Sequence, residues 1–120
     1  MPADVLALRK QQVKNFCSIL FLGNGTPMFR AGDEFMNTQK SNNNPFNEDN
    51  ETTWLNWDLL VANSDVYRFF KLMIAFRKAH PSIARSRFWR DDVHWYGVGA
   101  APDIANCSHT LTFCLHGASQ

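Results

Sequence analysis

Cysteine is scarce in this sequence, with three in 120 residues: Cys17, Cys107 and Cys114. An odd number without any Cys-x-x-Cys spacing excludes a disulfide framework and a zinc knuckle, and leaves reduced packing residues. Excess charge of either sign is missing as well. Twelve Lys and Arg stand against 11 Asp and Glu, a formal charge of +1. No basic block exists beyond the scattered Arg85, Arg87 and Arg90, so nothing gathers phosphates, and nucleic acid is excluded as a partner. No apolar run approaches the roughly 18 residues of a membrane span, so no membrane partner is expected. Met1-Pro2-Ala3-Asp4-Val5 lacks the basic region and apolar core of a signal peptide, and the expected location is cytoplasmic. The short signatures of nucleophilic, metal and phosphate chemistry, G-x-S-x-G, H-E-x-x-H and G-x-x-x-x-G-K-[ST], are absent. His80, His94, His109 and His116 are scattered without ligand spacing, so neither a metal nor a cofactor is expected. Only His94, His109 and His116 have a chance of meeting, on two short strands.

What is present is ordinary globular composition, 45% hydrophobic and 19% charged, at the length of a single domain. From about Asp4 to Leu22, Leu6, Val13, Phe16, Cys17, Leu20 and Phe21 recur at helical spacing, and Gly23 closes the helix. Thr26 to Ala31 is a compact apolar run between glycines, which predicts a strand buried on both faces. Helix, turn and buried strand form the αβ half of a βαβ repeat and imply a parallel sheet. After Gly32-Asp33-Glu34 comes a connection of about 25 residues, against about 2 to 6 in a usual βα link, so the loop is functional or disordered. Phe35, Phe46, Trp54 and Trp57 interleave there with Asn42, Asn43, Asn44, Asn47, Asp49 and Asn50. That mixture is too aromatic for a floppy linker and suits a polar, ring-shaped ligand.

Asn63-Ser64-Asp65 is a helix N-cap cluster, and Val66, Phe69, Phe70, Met73, Ile74 and Phe76 continue it to about Ala79, ahead of Pro81. Arg77, Lys78 and His80 suit the negative end of its dipole. Val93 to Val98 and Leu111 to Leu115 read as two strands joined by a loop. A two-stranded ribbon is marginal alone, and one parallel-type strand cannot satisfy its ladder without neighbours, so the chain reads as a piece of something larger.

No complete catalytic set is visible. Asp33 and Glu34, if they continue the strand, point to opposite faces and cannot flank one bond. Glu48, Asp49 and Glu51 sit on the loop without a histidine beside them.

Several motifs in order carry a resemblance: Gly25-Thr26-Pro27-Met28, Gly32-Asp33-Glu34-Phe35, Thr38-Gln39, Asn42-Asn43-Asn44, Asp49-Asn50-Glu51 and Trp54-Leu55-Asn56-Trp57. They continue through Phe76-Arg77-Lys78-Ala79-His80-Pro81, His94-Trp95-Tyr96-Gly97, Pro102-Asp103 and Leu111-Thr112-Phe113. Over about residues 9 to 117 the sequence resembles the glycogen debranching, isoamylase-type branch of the α-amylase superfamily, departing from it at Arg30, Met36 and Ile104.

The resemblance implies an α/β fold: a fragment of a (β/α)8 barrel (helix 7, strand 8, helix 8) over residues 1–82, followed over 83–120 by the first strands of a C-terminal β-sandwich. It implies a parent that hydrolyses α-1,6-glucosidic branches of glycogen by the retaining, two-carboxylate mechanism. Its catalytic carboxylates lie on strands 4, 5 and 7, outside this chain, so no catalytic residue is assigned and the isolated chain is expected to be inactive. Asp33 and Glu34 then become barrel-rim residues. The α-glucan contacts fall to Asn42, Asn43, Asn44 and Asp49, with Trp54 and Trp57 available for stacking on glucose. The alternative is a non-catalytic α-glucan-binding or interaction module derived from the same barrel. In either case unpaired apolar faces predict self-association.

Overall fold

The computed structural model describes residues 1–117. It holds helices α1 (Ala3–Leu22), α2 (Asp58–Ala62), α3 (Ser64–Ala79) and α4 (Pro81–Ala84), a 3-10 turn at Asp33–Phe35, and strands β1 (Val93–Tyr96) and β2 (Thr112–Leu115).

The α1–α3 pair is the centre of the molecule. Val13, Cys17, Leu20 and Phe21 lie on one stripe of α1 and meet Val66, Phe70, Met73 and Ile74 of α3. Full burial of such a side chain is worth about 1.5–3 kcal/mol, so this seam is the main source of cohesion. Phe21 meets Phe70 edge-on at 6.2 Å between ring centroids, and Phe29 closes the triangle at 5.9 Å from Phe21 and 5.3 Å from Phe70. At the rim of the seam, Lys10 and Lys14 of α1 reach Asp65 of α3 at 2.8 and 3.1 Å. The hydrogen bond from Lys10, joined by that from Lys14 and both charges and opposed by burial, holds the Asp65 carboxyl at about 2. Burial pushes the Cys17 thiol up to about 11, so it stays protonated and inert.

The buried strand expected at Thr26 to Ala31 is not formed. Among the described residues the sheet consists of β1 and β2 alone, so this segment has no neighbour whose N–H and C=O groups could complete a ladder. Phe29 turns its ring toward Phe21 and Phe70, and Met28 is 85% exposed. The architecture is thus mixed helix plus a two-stranded antiparallel ribbon, with no parallel sheet among the described residues.

Arg77 does not simply sit at the end of the α3 dipole. It follows Val66, Phe70 and Met73 on the buried stripe, and its guanidinium is folded inward. Nη1 donates to the carbonyls of Phe21 (2.6 Å) and Gly23 (3.0 Å), and Nη2 donates to that of Gly25 (2.6 Å). One buried cation therefore satisfies carbonyls of the last turn of α1 and of the chain leaving it, which the extended Gly23 does not cap in the left-handed way.

Asn63 likewise departs from its expected cap. Its side chain makes no cap bond; Nδ2 donates instead to the Phe35 carbonyl at 3.0 Å, fastening the 3-10 turn to the start of α3. The ribbon pairs Val93 with Leu115 and Tyr96 with Thr112, which puts Val93, Trp95, Phe113 and Leu115 on one face. Trp89 stacks on Phe113 there at 5.6 Å, and Trp95 meets it tilted at 5.4 Å. The ribbon is tied back to the helices by the Trp89 N–H, which donates to Asn24 Oδ1 at 2.7 Å, and by the Arg85–Asp92 ion pair.

Candidate functional site

The long loop grows from Gly32. With φ at +97° this residue occupies left-handed space, and a Cβ on it would lie 2.7 Å from Asn37 Cβ and 2.9 Å from Leu55 Cδ2. Glycine is required by both conformation and room. Asp33 and Glu34 follow in a single 3-10 turn rather than along a strand. Their carboxylates serve that turn: Asp33 Oδ2 accepts from the Arg30 N–H at 3.0 Å, and Glu34 Oε2 accepts from the Gly32 N–H at 2.8 Å. Asn37 joins the two ends of the loop, its Oδ1 accepting from the Asn56 N–H at 2.9 Å.

Between these roots the loop is ordered by its own polar groups. Gln39 Nε2 donates to the Asn42 carbonyl at 2.8 Å. Asn42 Nδ2 donates to Glu48 Oε1 at 2.9 Å, while Asn42 Oδ1 accepts from the Asn44 N–H at 3.0 Å. The Thr53 hydroxyl donates to the Glu48 carbonyl at 2.7 Å, and Lys40 pairs with Glu51 at 3.0 Å. Asp49 Oδ1 accepts from Trp54 Nε1 at 2.9 Å. A segment with this many internal bonds is a built loop rather than a linker.

The predicted contact residues thus fall into two groups. Asn42 and Asp49 are committed within the loop, Asn42 to Glu48 and Asn44 and Asp49 to orienting the Trp54 ring. Asn43 and Asn44 present exposed side-chain amides. Trp57 leans on Phe35 at 5.4 Å with the planes 38° apart, yet remains 62% exposed, beside Trp54 at 57% and Phe46 at 96%. A shallow depression of about 410 Å³ opens among Arg30, Asn37, Thr38, Gln39, Asn42 and Asn43. The loop therefore exposes both amide donors and acceptors and flat aromatic faces, the two kinds of group that grip hydroxylated rings. Its acids are bound to backbone, to an amide, to an indole or to a lysine, and none is paired with a histidine base.

Phe46 and Asn63 carry more of this site than their sequence context announces. Phe46 is the most exposed aromatic of the loop, and Asn63 fixes the turn at its root. An aromatic residue within an amide run is the only signal for Phe46, and Asn63 reads from the sequence as a helix cap. Of the three histidines that had a chance of meeting, two do, His94 and His116, with ring nitrogens 2.7 Å apart. Among the described residues no three His, Cys, Asp or Glu side chains converge as a metal site.

No family model matches the chain. Individual proteins do, under the names glycogen operon protein GlgX homolog, glycogen debranching enzyme and isoamylase. A Glycogen operon protein GlgX homolog of Haemophilus influenzae is 44% identical over 84 residues, 69% of this chain and 12% of that protein. The Glycogen debranching enzyme of Dickeya chrysanthemi is 41% identical over 86 residues, 72% of this chain and 13% of that protein. The chloroplastic Isoamylase 1 of Arabidopsis thaliana is 37% identical over 112 residues, 92% of this chain and 14% of that protein. By sequence the chain belongs with the isoamylase-type glycogen debranching family. It spans only 12 to 14% of the length of these relatives. No described helix is long and apolar enough to cross a membrane.

Proposed function

We propose that this chain is a C-terminal segment of an isoamylase-type glycogen debranching enzyme. In this reading residues 1–82 close the end of a (β/α)8 barrel, 83–120 begin a β domain, and the Gly32 to Asp58 loop lies on the α-glucan-binding face. The isolated chain hydrolyses nothing, because the retaining mechanism requires two carboxylates across the scissile bond and the loop acids here are engaged with their own turn and loop. The observation that carries the reading is the 37 to 44% identity to a GlgX homolog, a glycogen debranching enzyme and an isoamylase over 69 to 92% of the chain.

The surface supports it. The accessible area is 9121 Å², whereas a self-contained protein of 13.8 kDa exposes about 6,600 Å². The excess of about 2,500 Å² matches the area of an obligate interface. The radius of gyration, 17.9 Å, exceeds the roughly 14 Å of a compact domain of this length. An apolar groove of about 470 Å³ lies between α1 and the 26–36 segment, where Phe16 and Met28 stand in the open. Other barrel elements would cover it; in their absence the isolated chain self-associates. Its three free cysteines suit a reducing compartment such as the cytoplasm.

The exposure of Phe46, Trp54 and Trp57 favours a second reading, a non-catalytic α-glucan-binding module. Co-sedimentation with insoluble α-glucan separates the two. A module is retained and released by Trp54→Ala or Trp57→Ala, whereas a segment that needs the remaining barrel loops is not retained at all.

A further inference from the structure

The face of the β1–β2 ribbon opposite its aromatic side has no part in the glucan reading. Register places His94 directly across from Cys114 and puts His116 two residues further along the same face. The two imidazoles meet diagonally: His94 Nδ1 and His116 Nε2 are 2.7 Å apart, ring centroids 4.7 Å, planes at 90°. Both residues are exposed. We propose that this pair is a binding site for a divalent copper or nickel ion, held by His94 Nδ1 and His116 Nε2.

Two ring nitrogens 2.7 Å apart are hydrogen-bonded, and a cation can take the place of the shared proton. With metal–nitrogen bonds of about 2.0 Å, adjacent corners of a square are about 2.8 Å apart and two corners of a tetrahedron about 3.3 Å. The observed 2.7 Å is the hydrogen-bond distance of the metal-free pair and lies close to the square spacing, so the two nitrogens need little change in separation to take such an ion. Square-planar nitrogen coordination selects Cu(II) or Ni(II) over the tetrahedral preference of zinc, and copper also heads the affinity order of first-row divalent ions. Binding moves the proton that lies between the rings to the far nitrogen of its own ring, and rotation about the side-chain bonds brings both lone pairs onto the ion. Since no third donor of the usual types converges there among the described residues, water fills the other positions.

The test uses the full chain carrying Cys107→Ser and Cys114→Ser, because exposed thiols would reduce or capture copper. Cu(II) is titrated in chelator-free buffer and followed by electron paramagnetic resonance. One equivalent with a tetragonal spectrum split by two nitrogens is expected, with Zn(II) binding more weakly. His94→Gln or His116→Gln removes the two-nitrogen spectrum and the stoichiometric step, and His109→Gln leaves both in place. A near-UV circular dichroism spectrum unchanged from that of the unsubstituted pair, to which the packed Trp89 and Trp95 contribute, reports that each ribbon is intact. A single-nitrogen spectrum from the unsubstituted pair, unchanged binding in either His→Gln variant, or zinc binding more tightly than copper overturns the proposal, the first of these without reference to any variant.

Discussion

Replacing Arg77 by leucine probes the joint on which the helical part depends. The substitution keeps an apolar stem on the buried stripe of α3 but removes donors at 2.6, 3.0 and 2.6 Å from the Phe21, Gly23 and Gly25 carbonyls. A hydrogen bond from a charged donor contributes about 1.5–3 kcal/mol. The full sum over three is not lost, because the bonds at Gly23 and Gly25 are only partly buried and water can reach those carbonyls. Leaving the buried Phe21 carbonyl without a donor costs about 1–3 kcal/mol, and with the two partly buried carbonyls adding less, Arg77→Leu is expected to cost about 2–4 kcal/mol. Arg77→Lys keeps the charge but presents a single ammonium in place of a planar fork, so about half the loss is expected. Lys78→Leu, exposed on the next position, should stay within about 0.5 kcal/mol. Urea unfolding followed by far-UV circular dichroism gives all three. Small domains have about 5–15 kcal/mol in total, so Arg77→Leu should remove a sizeable fraction of it and lower the urea midpoint markedly. An Arg77→Leu chain within about 1 kcal/mol of the unsubstituted protein would refute the clamp.

Three further outcomes follow from other parts of the structure. Asp65, held at about 2 in the folded chain, returns to about 3.9 when unfolded. Its contribution is complete above about pH 4 and is lost as pH falls from about 4 to about 2. Because its side chain is 46% exposed, Asp65→Asn should cost under about 1 kcal/mol near neutrality, measured as the difference between the two chains' acid-unfolding curves. Gly32→Ala should destabilise by about 2 kcal/mol or more, since it combines left-handed strain with two close contacts; proteolysis of the 37–57 loop should rise with it, and unchanged cleavage would contradict the rooted loop. Sedimentation velocity should show concentration-dependent association, weakened by Phe16→Glu at the exposed groove; a monomer at all concentrations would contradict the uncovered face.

The legible parts of the fold are those whose pattern is local. Helical spacing in α1 and α3 is written in Val13, Cys17, Phe21 and in Val66, Phe70, Met73, and period-two alternation marks β1 and β2. Thr26 to Ala31 differs because a buried strand is defined by its neighbours: the apolar run carries the expectation of a sheet that these residues do not have around them. The position of Arg77 is informative in a way that the dipole argument overlooks, since it falls on the same stripe as Val66 and Phe70, where a cation must find carbonyls or carboxylates. At the loop, composition predicts exposed amides and aromatic faces, but not which amides are absorbed by the loop itself. The pairing of Asn42 with Glu48 and of Asp49 with Trp54 depends on a chain path that residue order does not encode.

That the chain carries a glucan-facing loop without the carboxylate pair that cuts a branch is tested most directly by incubating the purified chain with glycogen or amylopectin. The release of linear chains and new reducing ends is followed over time. No release above the buffer control is expected. Sustained debranching by the pure chain would contradict the claim.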